Sequence, residues 1–276
     1  MQRNNPLASL DLAPHSGDLT YTFLQSLTER SVRDRSNLYL AEGFRALHAA
    51  ITHQAPIVGL AICRELLHSS EARHAIQSLR HRGIQTLNLT RTQFEELARA
   101  PDPQGVLIVL RQQWLPLPET VRRKDLWLGI EHIRTPGNLG TLLRSAHAAG
   151  ATGLMIFGPP RDRTDPYDPV VVRASMGSIF AMNIISTTHQ SIRRWPCRFE
   201  TRIIGADGAA ATDYRKLDYR KPTVLMLGEE RNGLSEAQRA TCDAFARIPM
   251  AKGVDSLNLA MAGTLLLYEA VRGRQV

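Results

Sequence analysis

Three segments in the C-terminal half of the chain combine glycine, amide and charged residues at places where apolar stretches end. They are residues 135–144 (TPGNLGTLLR), 227–235 (LGEERNGLS) and 248–259 (IPMAKGVDSLNL). A core needs apolar residues, and these segments carry few of them. Loops with this composition at the ends of strands are typical of a ligand-binding site.

The first segment follows a predicted strand and opens a predicted helix, so its free backbone N–H groups could face an anion. Arg144 lies six residues after Asn138, almost two helical turns along, and its side chain is long enough to reach the loop. The alternative is that Asn138 caps the helix and that Arg144 is a surface charge. The chain lacks the GxGxxG and GKS/GKT patterns, so neither a dinucleotide nor a nucleoside triphosphate is indicated.

The second segment follows the apolar residues 223–227, which we expect to form a strand buried on both faces. Gly228 would then allow a ligand to approach the backbone closely. Glu230 could bind a positive group or a hydroxyl. Alternatively, it is an exposed carboxylate that favours the start of the next helix.

The third segment leads into an amphipathic stretch that we predict to be the last helix. Ser256 could cap this helix, which would place Asn258 in its first turn, although asparagine is a poor helix former. Met250 and Leu257 would provide apolar walls for a flat aromatic ligand with a polar edge.

Alternating strand-like and helix-like stretches position these segments. Predicted strands cover residues 38–40, 57–62, 84–89, 106–110, 126–130, 154–157, 179–185, 202–204, 223–227 and 245–248. Predicted helices cover residues 19–30, 42–53, 65–82, 90–98, 139–149, 170–175, 235–244 and 257–272. This alternation indicates an α/β fold, with a parallel sheet covered by helices on both faces in the C-terminal half. Ligands of such sheets bind beyond the carboxyl ends of the strands, where all three segments fall.

Two prolines at alternate positions in WLPLPE, residues 114–119, favour an extended linker. We therefore predict a flexible N-terminal arm (1–18), a small α/β domain (19–112), a linker (113–123) and a second α/β domain (124–276).

Composition limits the possible functions. The 276 residues include 43% hydrophobic residues, but no apolar run approaches the roughly 18 residues of a membrane span. Cys63, Cys197 and Cys242 are far apart, so we expect no metal site, no disulfide and a cytoplasmic location. The net charge of +8 favours a polyanionic partner such as RNA. Arg30, Arg33 and Arg35 could contact phosphate, or they could form the solvated end of a helix.

The order and spacing of the three segments resemble the motifs of the SpoU/TrmH family, the trefoil-knotted 2′-O-ribose RNA methyltransferases of the SPOUT class. The resemblance covers residues 124–273 and extends to residues 167–177 (YDPVVVRASMG) between the first two motifs. The N-terminal part, through residues 42–43 and 103–107, is similar to the ribosomal-protein-like substrate-binding domain that many members carry. Within the family, the C-terminal half looks closest to ribosomal-RNA enzymes of the avilamycin-resistance type.

The resemblance implies a deep trefoil knot in the C-terminal domain, with S-adenosylmethionine bound in it. The implied cofactor-binding residues are Leu227, Gly228, Ile248, Met250 and Leu257. Arg144 matches the catalytic arginine of the family, and the other polar active-site positions are matched by Asn138, Glu230, Ser256 and Asn258. The resemblance also implies a homodimer with its active site near the subunit interface, and a structured RNA substrate, most closely 23S-type ribosomal RNA.

The chemistry of the implied reaction constrains the roles of two residues. An arginine is essentially never deprotonated, so we expect Arg144 to hold the target phosphate and to polarise the ribose oxygen. Glu230, or the phosphate itself, could then accept the proton. The sequence departs from the family pattern at Thr135, where many members have Asp, and at Ala260, where many have Ser. The second departure removes one possible hydrogen bond but does not change the reaction class.

Other readings compete with this one. A transfer RNA could be the substrate, or the protein could be a catalytically silent RNA-binding or assembly factor. Asn138, Arg144, Glu230 and Asn258 argue against the silent factor, because it would not need them. A nucleotide-dependent oxidoreductase lacks its glycine fingerprint.

Overall fold

The computed structural model describes residues 19–159, 163–254 and 256–274. The chain forms two compact units. One unit runs to Gln112 and includes Tyr167–Pro169, and the other comprises Gln113–Pro166 and Val170–Val276. The predicted N-terminal arm lies outside the described residues.

From residue 19 onward, the first unit contains a four-stranded sheet and five helices. The helices are α1 (Tyr21–Ser26), α2 (Arg30–Ser36), α3 (Gly43–Thr52), α4 (Ser70–His81) and α5 (Arg91–Leu97). The strands are β1 (Leu38–Glu42), β2 (Ile57–Ile62), β3 (Gln85–Asn88) and β4 (Val106–Arg111). The strand order is β1-β4-β2-β3, with β4 antiparallel to both of its neighbours and β3 parallel to β2.

Helices cover both faces of this sheet. Helices α1, α2 and α5 form a core with Leu38, Leu40, Leu107 and Val109 on one face. The alternate residues Ile108 and Leu110 are also fully buried, and because successive strand residues point to opposite faces, the second face must be covered too. Helices α3 and α4 contact each other, and α3 also contacts β1 and β4, so this pair forms the second layer.

The second unit is built on a six-stranded sheet. Its strands are β5 (Leu126–Ile130), β6 (Gly153–Phe157), β7 (Asn183–Thr187), β8 (Arg202–Ala206), β9 (Thr223–Leu227) and β10 (Ala244–Ala246). Its helices are α6 (Pro136–Ala148), α7 (Pro169–Ala174), α8 (His189–Arg193), α9 (Glu236–Arg239) and α10 (Leu259–Arg272). The strand order is β10-β8-β9-β5-β6-β7, and every pair is parallel.

The core of the second unit lies on both faces of the parallel sheet. On one face, Trp127, Met155, Val224 and Met226 pack with Ile192 of α8. On the other face, α6 packs against α10, where the space beside Gly263 is filled by Leu142 and Leu227. The predicted α/β class and the parallel sheet with two covered faces are thereby confirmed. The knot stays a prediction of the family resemblance.

Most predicted elements are present, but several boundaries were wrong, among them that of helix 235–244, which is only α9 (Glu236–Arg239). Three further differences have local reasons. The predicted helix 65–82 begins only at Ser70, because Ser69 caps it and the preceding residues form a turn. The predicted strand 179–185 is a 3₁₀ helix at Ser178–Ala181 followed by β7. The predicted helix 19–30 is helical only over α1 (Tyr21–Ser26), since residues 27–29 form a turn before α2 begins at Arg30.

No helix among the described residues combines the length and apolar character that a membrane span requires. In the same part of the chain, His, Cys, Asp and Glu do not gather in a group of three that could ligate a metal ion.

Candidate active site

A cavity of about 250 Å³ opens at the carboxyl ends of β8, β9 and β10. Ala206, Leu227 and Ala246 line it, and each is the last residue of its strand. The remaining wall comes from the loops that follow these strands and from the first turn of α10. The residues that complete the lining are Asp207, Gly208, Gly228, Glu229, Glu230, Arg231, Gly233, Ile248, Met250, Ser256, Leu257, Leu259 and Ala262.

One chain of hydrogen bonds joins all three sequence segments at the rim of this cavity. The side chain of Asn258 donates from Nδ2 to Oδ1 of Asn138 at 3.1 Å. Asn138 in turn donates from Nδ2 to Oε1 of Glu230 at 3.1 Å, and Glu230 lines the cavity. These residues are 92 and 120 positions apart along the chain, so the contacts are made only by the fold.

The helix caps explain why both asparagines are available for this chain. Oδ1 of Asn258 accepts hydrogen bonds from the backbone N–H groups of Ala260 at 2.9 Å and Met261 at 3.4 Å, so Asn258 is the N-cap of α10. The predicted cap at Ser256 was therefore wrong. The alternative role of Asn138 as a cap was also wrong, because α6 begins at Pro136 with Thr135 as its N-cap residue.

Hydrogen bonds hold Glu230 as a carboxylate. Burial raises its pKa, but hydrogen bonds from its own backbone N–H, from Asn138 and from the backbone of Arg134 and Thr135 outweigh burial, so the pKa lies below the usual value of 4.5. One of these bonds joins the Arg134 N–H to Oε2 at 3.2 Å. A general base works best when its pKa is near the operating pH. A lowered pKa therefore makes Glu230 a better anchor for Asn138 than a proton acceptor.

The loop after β9 is closed by its own backbone. Glu229 and Gly233 each donate an N–H to the other's carbonyl at 2.9 Å, and Gly233 has a positive φ of 67° that favours glycine. A Cβ on Gly228 would lie 2.1 Å from the Gly233 carbonyl carbon. Gly228 lines the cavity, as expected for a residue that a ligand approaches, but its close backbone contact is with this loop.

Gln238 on α9 holds the end of β9 through a hydrogen bond to its last residue, Leu227. Its side chain is buried and donates from Nε2 to the Leu227 carbonyl at 2.9 Å, while its Oε1 accepts from the Ser235 N–H at 2.9 Å. Ser235 donates from Oγ to Oε2 of Glu131 at 2.7 Å. Because Glu131 directly follows β5, these bonds tie the cavity wall at Leu227 to the neighbouring central strand.

Arg144 is placed differently from the other predicted site residues. It lies on α6, is exposed, and forms no hydrogen bond or ion pair with another residue in the described part of the chain. It does not line the cavity. Its guanidinium is thus free to meet an external anion.

The five residues predicted to bind the cofactor all line the cavity, and so do Glu230 and Ser256. Asn138 and Asn258 reach it through the hydrogen-bond chain. Sequence reasoning missed Asp207 and Gly208, which directly follow β8, and Gln238. The first two could have been found from the rule that ligands bind at the carboxyl ends of parallel strands. The spacing of Ser235 and Gln238 predicts a capping box at the start of α9, but the burial of Gln238 and its bond to Leu227 have no signal in the sequence, because a glutamine is usually exposed.

An open parallel sheet with a cavity at its carboxyl edge is the arrangement of an α/β cofactor-binding enzyme. The sequence matches the SpoU rRNA Methylase family over residues 125–268 and the MRM3-like substrate binding domain over residues 22–108. The chain therefore belongs to the SpoU rRNA methylase family.

Curated relatives and solved structures agree with this membership. The chain is 33% identical to the 23S rRNA (uridine(2479)-2′-O)-methyltransferase of Streptomyces viridochromogenes, over 90% of this chain and 87% of the relative. The SpoU methyltransferase AviRb from the same organism, solved with AdoMet, has a TM-score of 0.82 at 31% identity and covers 92% of this chain and 98% of that one. An AdoMet-bound rRNA methyltransferase from Sinorhizobium meliloti has a TM-score of 0.81 at 31% identity, covering 91% and 94%.

Proposed function

We propose that this protein transfers a methyl group from S-adenosylmethionine to a ribose 2′-hydroxyl of 23S-type ribosomal RNA, and that it does so in the cytoplasm, where ribosomal RNA is available. The observation that carries the proposal is the hydrogen-bond chain Asn258–Asn138–Glu230, which brings three distant motifs to the rim of one cavity. The similarity to a 23S rRNA 2′-O-methyltransferase over nine-tenths of the chain supports the substrate class.

The cavity suits the cofactor chemically. Ile248, Met250 and Leu257 provide apolar walls for an adenine ring, while Gly228 exposes backbone that can hydrogen-bond to polar edges. When bound, S-adenosylmethionine supplies an electrophilic methyl group on a sulfonium. The residues of the chain then have to orient the ribose and to activate its hydroxyl, whose pKa is far above neutral.

We assign the positioning of the active site to Asn138, Asn258 and Glu230, and the handling of the RNA to Arg144. The unpaired guanidinium of Arg144 can donate to the target phosphate and polarise the ribose oxygen in charge-assisted hydrogen bonds. The lowered pKa makes Glu230 a weak proton acceptor, and a phosphodiester is a weaker base still. We therefore assign the ribose proton to solvent water, which takes it up as the bond between the ribose oxygen and the methyl group forms and the bond from sulfur to that methyl breaks. Ser256, exposed at the cavity wall, is free to donate a hydrogen bond to a ligand.

We further propose that the enzyme is a homodimer in which Arg144 completes the site of the partner subunit. Met261, Leu265 and Tyr268 form an exposed apolar stripe along α10, with exposures of 60%, 41% and 51%. The opposite side of α10 packs on α6, which carries Arg144, and Thr264 of α10 donates a hydrogen bond to Ser145 at 2.7 Å. An exposed apolar stripe is typical of a protein interface. The stripe and Arg144 therefore belong to one helix pair.

Mapping of 2′-O-methylation tests the reaction. Ribosomal RNA from cells with and without the protein should differ at one or a few ribose positions, and calorimetry should detect S-adenosylmethionine binding to the purified chain. If the cofactor binds but no ribose in ribosomal or transfer RNA changes, the proposed reaction is wrong. Absence of cofactor binding would favour a silent assembly factor.

Mixing two inactive variants tests the shared site. Gly228→Ala should distort the loop that lines the cofactor cavity, because the added Cβ would collide with the Gly233 backbone, and Arg144→Ala should remove the RNA-contacting group. If Arg144 acts across the interface, a heterodimer of the two variants contains one complete site and regains up to about half of the activity per dimer. If Arg144 acts in its own subunit, every site in the mixture is incomplete and no activity returns.

A further inference from the structure

Most arginines of the two helical layers of the first unit differ in their partners. The exception is Arg35 on α2, which is exposed and forms no ion pair or side-chain hydrogen bond in the described part of the chain, so its predicted phosphate contact stays a prediction. On α2, Arg30 is within 3.5 Å of Asp34, and Arg33 is buried with hydrogen bonds to the carbonyls of Leu27 at 2.9 Å and Thr28 at 2.7 Å. These contacts contradict the prediction that Arg33 contacts phosphate, and equally the alternative of a solvated helix end. On α5, Arg91 pairs with Glu95 at 2.8 Å.

The arginines of the α3–α4 layer have no acidic partners in the described part of the chain. Arg45 on α3, Arg80 on α4 and Arg82 at the end of α4 are exposed and form no ion pair or side-chain hydrogen bond there. Arg73 donates only to the Leu67 carbonyl at 3.1 Å, so its charge is not neutralised. The carboxylate on these two helices, Glu71, is already bonded to Ser69 at 2.8 Å.

Helical spacing collects these charges on one surface. Arg73 and Arg80 are seven residues apart on α4, hence nearly in line along the helix, while Ala72, Ile76 and Leu79 turn inward. On α3, Arg45 and His48 face outward because Ala46, Leu47 and Ala50 are buried. His74 and His81 add two further exposed rings on α4. We call this surface, defined by Arg45, Arg73, Arg80 and Arg82, the α3–α4 face.

A cavity of about 450 Å³ lies at one end of the same face, between the carboxyl ends of α3 and α4. Its walls combine the apolar side chains of Ile51, Pro56, Leu79 and Ile84 with the polar groups of Gln54 and Arg82, of which Arg82 is cationic. Protein sites for single-stranded RNA combine phosphate-binding arginines with pockets or planes that receive unstacked bases. The α3–α4 face has both parts.

We infer that the α3–α4 face is the RNA-docking surface of the first unit, with Arg45, Arg73 and Arg80 on backbone phosphates and an unstacked base in the cavity beside Arg82. This inference rests on the proposed function, since it takes ribosomal RNA as the ligand. Phosphate contacts position a nucleic acid without reading its sequence, whereas base contacts specify. The arginines therefore supply affinity, and the cavity selects where along the RNA the protein stops.

Salt titration of RNA binding separates the two roles. The full chain is titrated with a transcript of 23S ribosomal RNA between 50 and 300 mM salt, and the slope of log affinity against log salt is measured. Arg73→Gln/Arg80→Gln should weaken binding about tenfold or more and reduce the slope by roughly 1 to 2, because each lost phosphate contact removes close to one unit. The neutral change Ile51→Asn should weaken binding several-fold and leave the slope unchanged.

A charge-matched control guards against a general effect of net charge. Arg91→Gln/Arg220→Gln also removes two positive charges, from arginines already ion-paired with Glu95 and Asp218, and should leave affinity within about twofold of wild type. Equal losses in both double variants, or no loss in Arg73→Gln/Arg80→Gln, would overturn the docking surface. An unchanged affinity for Ile51→Asn would overturn the base site.

Two readouts separate this inference from the proposed function. Calorimetry with S-adenosylmethionine should give the same affinity for every variant, because none of the changes touches the cofactor cavity. A wild-type protein that binds the cofactor but not the transcript would contradict the proposed substrate itself. If wild type binds both the cofactor and the transcript, and Arg73→Gln/Arg80→Gln binds the transcript equally tightly, only the docking surface is contradicted.

Discussion

The carboxyl edge of the six-stranded sheet and the α3–α4 face of the first unit handle charge in opposite ways. Each described carboxylate that lines the cavity has a partner: Asp207 is 2.7 Å from Arg239, Glu229 is 2.9 Å from Arg134, and Glu230 accepts from Asn138. On the α3–α4 face the guanidinium groups are left without acidic partners among the described residues. The first arrangement fixes side chains in place, and the second keeps charge accessible.

The difference follows from what each surface has to do. Methyl transfer needs the reacting atoms held within about 3–3.5 Å of each other. The polar side chains around the cavity therefore have to be held in place by hydrogen bonds and ion pairs. Docking of a long polyanion needs only accessible cations, whose counterions are released when phosphates arrive. Arg144 belongs to the second type by its lack of partners, although it lies in the unit that carries the cavity.

The largest expected effect comes from removing Arg144. Arg144→Ala should lower kcat by about 10²-fold or more, the range seen when one charge-stabilising donor is lost, while the affinity for S-adenosylmethionine stays within about twofold. Single-turnover methylation and calorimetry measure the two quantities. Arg194→Ala, which removes an exposed arginine after α8, should change neither. Wild-type turnover by Arg144→Ala would contradict the role assigned to this arginine.

A smaller loss is expected when the hydrogen-bond chain at the cavity rim is broken. Glu230→Gln replaces the carboxylate that accepts from Asn138 by an amide, whose NH₂ group cannot accept this hydrogen bond. Asn138→Ala removes the central link between the three segments. Losing one buried or charged hydrogen bond costs roughly 1–3 kcal/mol, which corresponds to about 5- to 150-fold in activity. Both variants should lose activity to a similar extent.

The double variant distinguishes one connected chain from two separate contacts. If Asn138 and Glu230 act together, Asn138→Ala/Glu230→Gln should lose little more activity than either single variant, because the link is already broken. Additive losses would mean that the two residues act independently. In that case the comparison between a fixed cavity rim and an accessible docking face would lose its main support.

The pH range of cofactor binding tests the state of Glu230. Its pKa in the folded protein lies below 4.5, so the carboxylate contributes stability that is fully present above 4.5 and is lost as the pH falls through the lowered value. S-adenosylmethionine affinity should therefore be flat from pH 8 down to about pH 5. A titration step near pH 6 to 7 that disappears in Glu230→Gln would show that the carboxylate is instead a poised base.

Apolar patterning was enough to fix the limits of the two central strands of the six-stranded sheet, but not those of β8 and β10 at the cavity. β5 and β9 have the predicted limits, because each is an apolar run that ends at a polar residue or glycine. The same reliance on apolar runs made the prediction of one strand over 179–185 wrong, because an apolar run alone does not distinguish a strand from a 3₁₀ helix. There Gly177, with a φ of 89°, starts a 3₁₀ helix before β7 begins.

The details of the site depended on contacts that no local pattern contains. Ser256 and Asn258 are both good capping residues, and the sequence favoured Ser256. Asn258 caps α10 with its carbonyl oxygen because its amide group can then donate to Asn138, which is 120 positions away. The buried Gln238 behind Leu227 likewise becomes meaningful only when α9 folds back on β9.

The smallest predicted effects compare two glycines of α6, one packed and one open. A Cβ on Gly140 would lie 2.4 Å from the Cβ of Ala174, whereas a Cβ on Gly137 would meet nothing within 4 Å. Gly140→Ala should therefore destabilise the protein by about 1–3 kcal/mol, and Gly137→Ala should stabilise it by roughly 0.5–1 kcal/mol because alanine loses less entropy in a helix. Thermal unfolding of the two variants measures both shifts. Destabilisation by Gly137→Ala would mean that the first turn of α6, which carries Asn138, is packed and not open. The rigid part of the cavity rim would then extend beyond the hydrogen-bond chain Asn258–Asn138–Glu230.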